Sequence, residues 1–219
     1  MRSCEYYQEF AQSKTIYPDI YEHQSFAWDT IGFVSVNTTY FVPTNAMWLT
    51  PVLNSLTIEW FYSQISNRVR GGYLRAFTDY MRQVPVPAAD SAQQSRCERL
   101  ADGIIWLHSL TGNMAAAGPV GLMIAYLEQW LNGLVYELFF ANEMHAHTLK
   151  LFDETKKLKP PDLSKLRAAD ELSALRELHQ EAYATDATLR EMLFDLKSLD
   201  AVRVIEDAGR SDSHDEGQE

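Results

Sequence analysis

Two cysteines, Cys4 and Cys97, are all that the 219 residues contain. That is too few for a disulfide framework or a four-thiolate zinc site, and the pair reads as free thiols of a reducing cytosol. The first nine residues have no apolar signal region. No run of 18 or more uncharged apolar residues exists; the nearest, residues 118–138, is interrupted by Glu128, Gln129, Asn132 and Glu137 and reads as a water-facing helix. There is no Gly-x-Gly-x-x-Gly, no Walker loop, no Gly-x-Ser-x-Gly elbow, no His-Glu-x-x-His and no internal repeat. Positive charge is scarce too: 19 Lys and Arg against 30 Asp and Glu give 19 − 30 = −11, which excludes a protein that coats nucleic acid over its whole surface.

What is present is ample core material, with 46% hydrophobic residues and five Trp, enough for one or two domains. The acidity is uneven. Residues 1–90 carry 6 − 8 = −2, residues 91–150 carry 3 − 5 = −2 and residues 151–219 carry 10 − 17 = −7. Between 68 and 82 the sign reverses, Arg68, Arg70, Arg75 and Arg82 standing against Asp79 for a local +3.

The pattern predicts an α+β chain: a small mixed sheet with packed helices over residues 1–90, a helical region over 91–155, long charged helices over 156–207 and a disordered tail over 208–219. Residues 14–17 and 26–28 read as short strands, the first stopped by Pro18 and Asp19. The alternation through residues 33–42 is the clearest strand signal, with Val34, Val36, Thr38, Tyr40 and Val42 on one face. Beyond Pro43 a helix capped by Asn45 or by Thr50 carries Leu53, Leu56, Trp60 and Ile65, and encloses Asn54 and Ser55. Gly71 and Gly72 make a turn, and the prolines of Val84-Pro-Val-Pro87 force an extended exit. In the helical half Leu100, Ile104, Leu107 and Leu110 form one stripe. Val120, Met123, Leu127, Trp130, Leu134 and Leu138 form a second. Asn142 is positioned to cap a short helix bearing Leu149 and Phe152, and Leu172 to Leu196 suggest one or two helices with a weak middle at 183–188. A metal site on Glu143, His145 and His147, completed by His108 or His179, is disfavoured because helical residues two apart diverge by about 200°. Trp28, Trp60 and Tyr73 are expected in the core rather than stacked on bases.

Several strings fall in a familiar order: Lys14-Thr-Ile-Tyr-Pro-Asp-Ile20, Phe26-Ala-Trp-Asp29, Asn37-Thr-Thr-Tyr40, Leu53-Asn-Ser55 with Trp60-Phe61, Arg70-Gly-Gly-Tyr-Leu-Arg75 and Val84-Pro-Val-Pro87. Together they resemble the TaqI-like C-terminal specificity domain, the target-recognition region of adenine-specific DNA methyltransferases and of type IIG restriction-modification enzymes. Residues 127–140 resemble the helix that follows, so the resemblance spans about residues 14–155. It implies a DNA-reading module of a restriction-modification or phage-defence system, working beside a catalytic domain that holds S-adenosylmethionine. Methyl transfer to adenine needs a cofactor loop and an Asn-Pro-Pro-Tyr type motif, and neither is in this sequence. The expectation is therefore a C-terminal fragment or the specificity half of a split gene: cytoplasmic, without a cofactor of its own, with duplex DNA as partner and a methyltransferase or nuclease subunit or a second copy beside it. The candidate DNA-binding residues are Arg68, Arg70, Gly71, Gly72 and Arg75, with Lys14 as a phosphate contact and Asn37 as a reader of adenine. Arg75 and Arg82 could instead pair with Asp79, and Asn37 could cap or turn. The acidic helices after Pro161 would be repelled by DNA, which suits an arm that packs on another protein surface. An alternative role is a protein-interaction module docking a partner through the stripe from Val120 to Leu138.

Overall fold

A computed structural model describes residues 7–35, 38–69, 72–111 and 117–212. The chain divides into two units, Met1–Val86 and Pro87–Glu219. Small antiparallel sheets occupy the first and helices the second, so the chain is α+β.

The first unit is organised around β1 (Lys14–Pro18), the middle strand of a three-stranded antiparallel sheet. On one side lies β3 (Ala27–Asp29), with Lys14 opposite Asp29; on the other lies β4 (Thr39–Pro43), with Lys14 opposite Pro43 and Pro18 opposite Thr39. Alternation places Thr15 and Tyr17 on one face, where the Thr15 hydroxyl meets that of Thr50 at 2.9 Å and the Tyr17 ring lies 5.0 Å from Phe26. Pro18 and Asp19 do not stop the extended chain. It resumes as β2 (Ile20–Tyr21), which pairs antiparallel with β5 (Leu74–Arg75) in a second, two-stranded sheet.

The strand read over 33–42 is shorter than its alternation suggests. Pairing begins at Thr39, because the backbone amides of Ile31 and Phe33 are taken by the Asp29 carboxylate and bend the chain away before a strand can start. Val36 and Asn37 lie outside the described residues.

The single helix expected beyond Pro43 is two. Helix α1 (Leu49–Leu53) ends at Asn54, and α2 (Leu56–Ile65) is capped by Ser55, whose hydroxyl accepts the Ile58 amide, rather than by Asn45 or Thr50. The break resets the helical phase, so Thr57, Ile58 and Tyr62 are buried and Leu56 is exposed. Asn54 has a purpose of its own: its Oδ1 accepts the Phe26 amide at 2.8 Å and its Nδ2 donates to the Phe26 carbonyl at 2.7 Å, the two bonds a neighbouring strand would make. Asn54→Leu is expected to remove about 2 kcal/mol from the stability of this unit, since both Phe26 backbone groups lose their partner; chemical denaturation of the variant checks it.

In the second unit Asp90 and Gln93 form a capping box that starts α4 (Ser91–Leu110), the Asp90 carboxylate accepting the Ala92 and Gln93 amides at 2.8 Å. Helix α5 (Ala117–Ala146) follows, then α6 (Leu151–Leu158), α7 (Glu171–Tyr183), α8 (Thr188–Asp195) and α9 (Asp200–Asp212). The weak middle at 183–188 is the break between α7 and α8. The last helix reaches Asp212, five residues into the segment expected to be disordered; its Val202 and Ile205 are buried, which anchors it. Both apolar stripes are spent inside this unit. Leu100, Ile104 and Leu107 are buried, as are Val120, Met123, Leu127, Trp130 and Leu134. Docking a partner through the stripe from Val120 would require opening this core, which counts against that alternative.

Asn142 lies within α5 and does not cap a helix. Glu137 performs that role from a distance: buried, it accepts the Phe152 amide at the start of α6 at 2.9 Å and meets His145 Nε2 at 2.9 Å. The backbone of α5 leaves helical geometry at Phe140, between these two commitments (φ −122°, ψ 32°).

Candidate nucleic-acid interface

The basic stretch becomes a turn closed by its own backbone. Arg68 and Leu74 form an antiparallel bridge, Val69 donates its amide to the Tyr73 carbonyl at 2.8 Å, and Gly72 donates to the Val69 carbonyl at 3.1 Å. Gly72 sits at φ +80°, with open space where a Cβ would be, so backbone conformation and not crowding asks for glycine there. Arg68 is exposed and donates to the Gly72 carbonyl at 3.2 Å, and Tyr73 is exposed beside it. Tyr73 is thus a surface aromatic, whereas Trp28 and Trp60 are half-buried. Arg70 and Gly71 lie outside the described residues, as does Asn37.

What holds the turn is the packing of β5. Leu74 and Ala76 are buried, and the Arg75 carbonyl accepts hydrogen bonds from the Tyr62 hydroxyl at 2.7 Å and the Ser66 hydroxyl at 3.2 Å. Burial raises the Tyr62 pKa, which keeps its phenol a donor. The short helix α3 (Thr78–Met81) follows, tied back by Asn67 Nδ2 donating to the Tyr80 hydroxyl at 2.9 Å. That bond ties α3 to the residue before Arg68; Arg82, which caps the end of α3, is exposed. Phe77, also exposed, adds a second surface aromatic.

Two of the expected contacts have other work. Arg75 pairs with Asp19 at 2.8 Å, not with Asp79, and its guanidinium lies 4.5 Å from the Phe77 ring centre; it fastens β5 to the β1–β2 junction. Lys14, expected to touch phosphate, is fully buried, donates to the Phe10 carbonyl at 2.7 Å and forms an ion pair with buried Asp29. A side chain with no exposed surface cannot reach a DNA backbone. Tyr73, expected in the core, and Phe77, not singled out in the sequence, are both exposed within the basic stretch that ends at Arg82. Their only sequence signal was their place around the reversed charge between 68 and 82.

In the second unit His145 is engaged by Glu137 and His147 is exposed; among the described residues no group of three His, Cys, Asp or Glu is placed to hold a metal ion. Cys97 is fully buried, and desolvation lifts its thiol pKa to about 12, which leaves it unreactive. Among the described residues no helix is long and apolar enough to cross a membrane.

The exposed turn bearing Arg68 on a small sheet module defines a surface suited to a polyanion. In a comparison with known families, residues 2–86 match the model of the TaqI-like C-terminal specificity domain. The match supports a recognition role in DNA methyltransferase and restriction-modification systems. It ends where the first unit ends, so the likeness read in residues 127–140 receives no support from it. No curated protein and no solved structure matches the chain.

Proposed function

We propose that this chain supplies the sequence-reading part of a site-specific adenine DNA methyltransferase or restriction-modification enzyme, holding duplex DNA for a catalytic domain outside this sequence. S-adenosylmethionine belongs, on this reading, to that domain. The observation that carries the proposal is the coincidence, within one unit, of the specificity-domain match and an exposed turn bearing Arg68, Gly72 and Tyr73, with exposed Arg82 at the end of the short helix that follows. The planar fork of arginine suits a guanine edge or a phosphate. Arg75 and Lys14 act one layer below, positioning the turn and the sheet.

The test is salt-dependent duplex binding. Arg68→Gln with Arg82→Gln removes two cations from the face, and the slope of log affinity against log salt is expected to become shallower by about 2. Fluorescence anisotropy over a salt series reads it. A variant that binds duplex with the affinity and slope of the parent would remove this surface from the DNA reading.

A further inference from the structure

The chain enters the basic turn at Asn67 and Arg68 and leaves it along β5, and both limbs are fastened to the short helix that follows. Asn67 Nδ2 donates to the Tyr80 hydroxyl at 2.9 Å, and the Arg75 guanidinium lies 4.5 Å from the centre of the Phe77 ring. Phe77, Thr78, Asp79 and Tyr80 line an open cleft of about 370 Å³, wide enough to admit the edge of a nucleobase. The Phe77 and Tyr80 rings are 6.1 Å apart and inclined at 50°, and Phe77 is 43% exposed even with Arg75 against it.

Asp79 supplies the charge of this cleft. It is exposed, and among the described residues its carboxylate accepts no backbone amide and forms no ion pair. Arg82 stands at the i,i+3 spacing that joins Lys157 to Glu154 and Arg203 to Asp200 in the second unit, yet the two do not pair. Asp19, Asp29 and Glu59 of the same unit are all engaged, with Arg75, Lys14 and His23. A solvated surface acid is ordinary. This one is a free acceptor in a cleft walled by an aromatic ring and bonded to both limbs of the turn.

We infer that Asp79 reads the exocyclic amine of a cytosine in the major groove of bound duplex DNA, with Phe77 against the C5 edge of the same base. The inference rests on the DNA-reading function above and names a specificity-determining residue for it. A carboxylate accepts hydrogen bonds and donates none, so phosphate oxygens, guanine O6 and N7 and thymine O4 offer it nothing. Cytosine N4 and adenine N6 are the amines of the major groove. Adenine sets the N7 acceptor beside its amine, where it would face the carboxylate's negative charge; cytosine sets an apolar C5–H there, which suits a ring. One acceptor beside one apolar wall is what the cleft presents. Phosphate contact then belongs to the turn, and base contact to the cleft fastened to it.

Selection from a randomised duplex pool by the full chain, run in parallel on the parent, Asp79→Asn and Asp79→Ala, provides the test. The parent is expected to select a site in which cytosine is preferred at one position by about 10-fold over the other bases. Both substitutions are expected to abolish the cytosine preference at that position, while the other positions keep theirs and the salt slope stays parental. Asp79→Asn preserves the shape of the side chain, so its loss reports the charge. Preferences unchanged in both variants, or binding weakened by one factor for every sequence, overturn the assignment and leave DNA reading intact. A change confined to a position where the parent selects a base other than cytosine overturns the cytosine contact. A parent chain that selects no duplex overturns the DNA reading itself.

Discussion

Replacing Lys14 by Met is expected to destabilise the first unit by about 3–5 kcal/mol, the cost of leaving a buried carboxylate without its counter-charge. Asp29 is 6% exposed and Lys14 not at all, so neither can turn to water when the other is lost. Burial works against the charge on Asp29, but hydrogen bonds from Lys14 and from the amides of Ile31 and Phe33, together with the Lys14 charge, outweigh it and hold the carboxyl below its usual pKa. A depressed pKa in the fold means stabilisation that is complete above the unfolded value, about 3.9, and lost as pH falls through the lower folded value. Urea unfolding of the parent should therefore be flat in this contribution above about pH 5 and weaken below about pH 4. Lys14→Met should be weak at neutral pH and regain part of the deficit on acidification, as protonation removes the unpaired charge. Lys14→Met combined with Asp29→Asn should recover stability at pH 7, because the buried charge is gone while an acceptor remains for one turn amide. Hydrogen exchange at Ile31 and Phe33 reports the same event locally. A Lys14→Met protein with parental unfolding midpoint and exchange at pH 7 would show that the ion pair contributes nothing.

Lys14 also marks the limit of what the sequence could tell. A lysine beginning a strand is read as solvated because isolated burial of an ammonium is costly; its burial depends on a carboxylate fifteen residues away that only the β1–β3 register brings opposite. Asn54 and Ser55 were hidden differently. Leu53, Leu56 and Trp60 keep helical spacing across the break, and spacing along the sequence alone does not show that the chain stops and restarts in a different phase. Two consecutive cap-forming residues before an apolar run were the available signal. Helical stripes were legible where residues three and four apart all turned inward, as in α4 and α5, because burial along a helix is set by local period. The surface face was legible only as charge: the reversal between 68 and 82 located the turn, while which arginine faces outward was decided by Asp19, 56 residues from Arg75 where the expected partner Asp79 is one helical turn away.

Trp130→Ala is expected to cost the second unit about 3–5 kcal/mol. The indole is fully buried, its Nε1 donates to the Thr155 hydroxyl at 2.8 Å, and that hydroxyl donates in turn to the Leu151 carbonyl at 2.7 Å. Alanine opens a cavity between α5 and α6 and leaves the Thr155 oxygen short of a donor. Trp130→Phe keeps most of the volume and should cost only about 1–2 kcal/mol, the share of the lost hydrogen bond. Thr155→Val should cost about 1–3 kcal/mol, because it strands the indole N–H in a dry interior. Thermal unfolding with hydrogen exchange over residues 87–212 ranks the three. The ranking also decides between the two tasks the stripe from Val120 to Leu138 could have. A core tryptophan loses stability in proportion to the void it leaves, whereas one kept for a partner loses little when truncated in the isolated chain. Trp130→Ala with parental stability would return this stripe to the surface and reopen the helical unit as a docking module; a loss of several kcal/mol fixes it as the interior that lets the second unit hold its own fold.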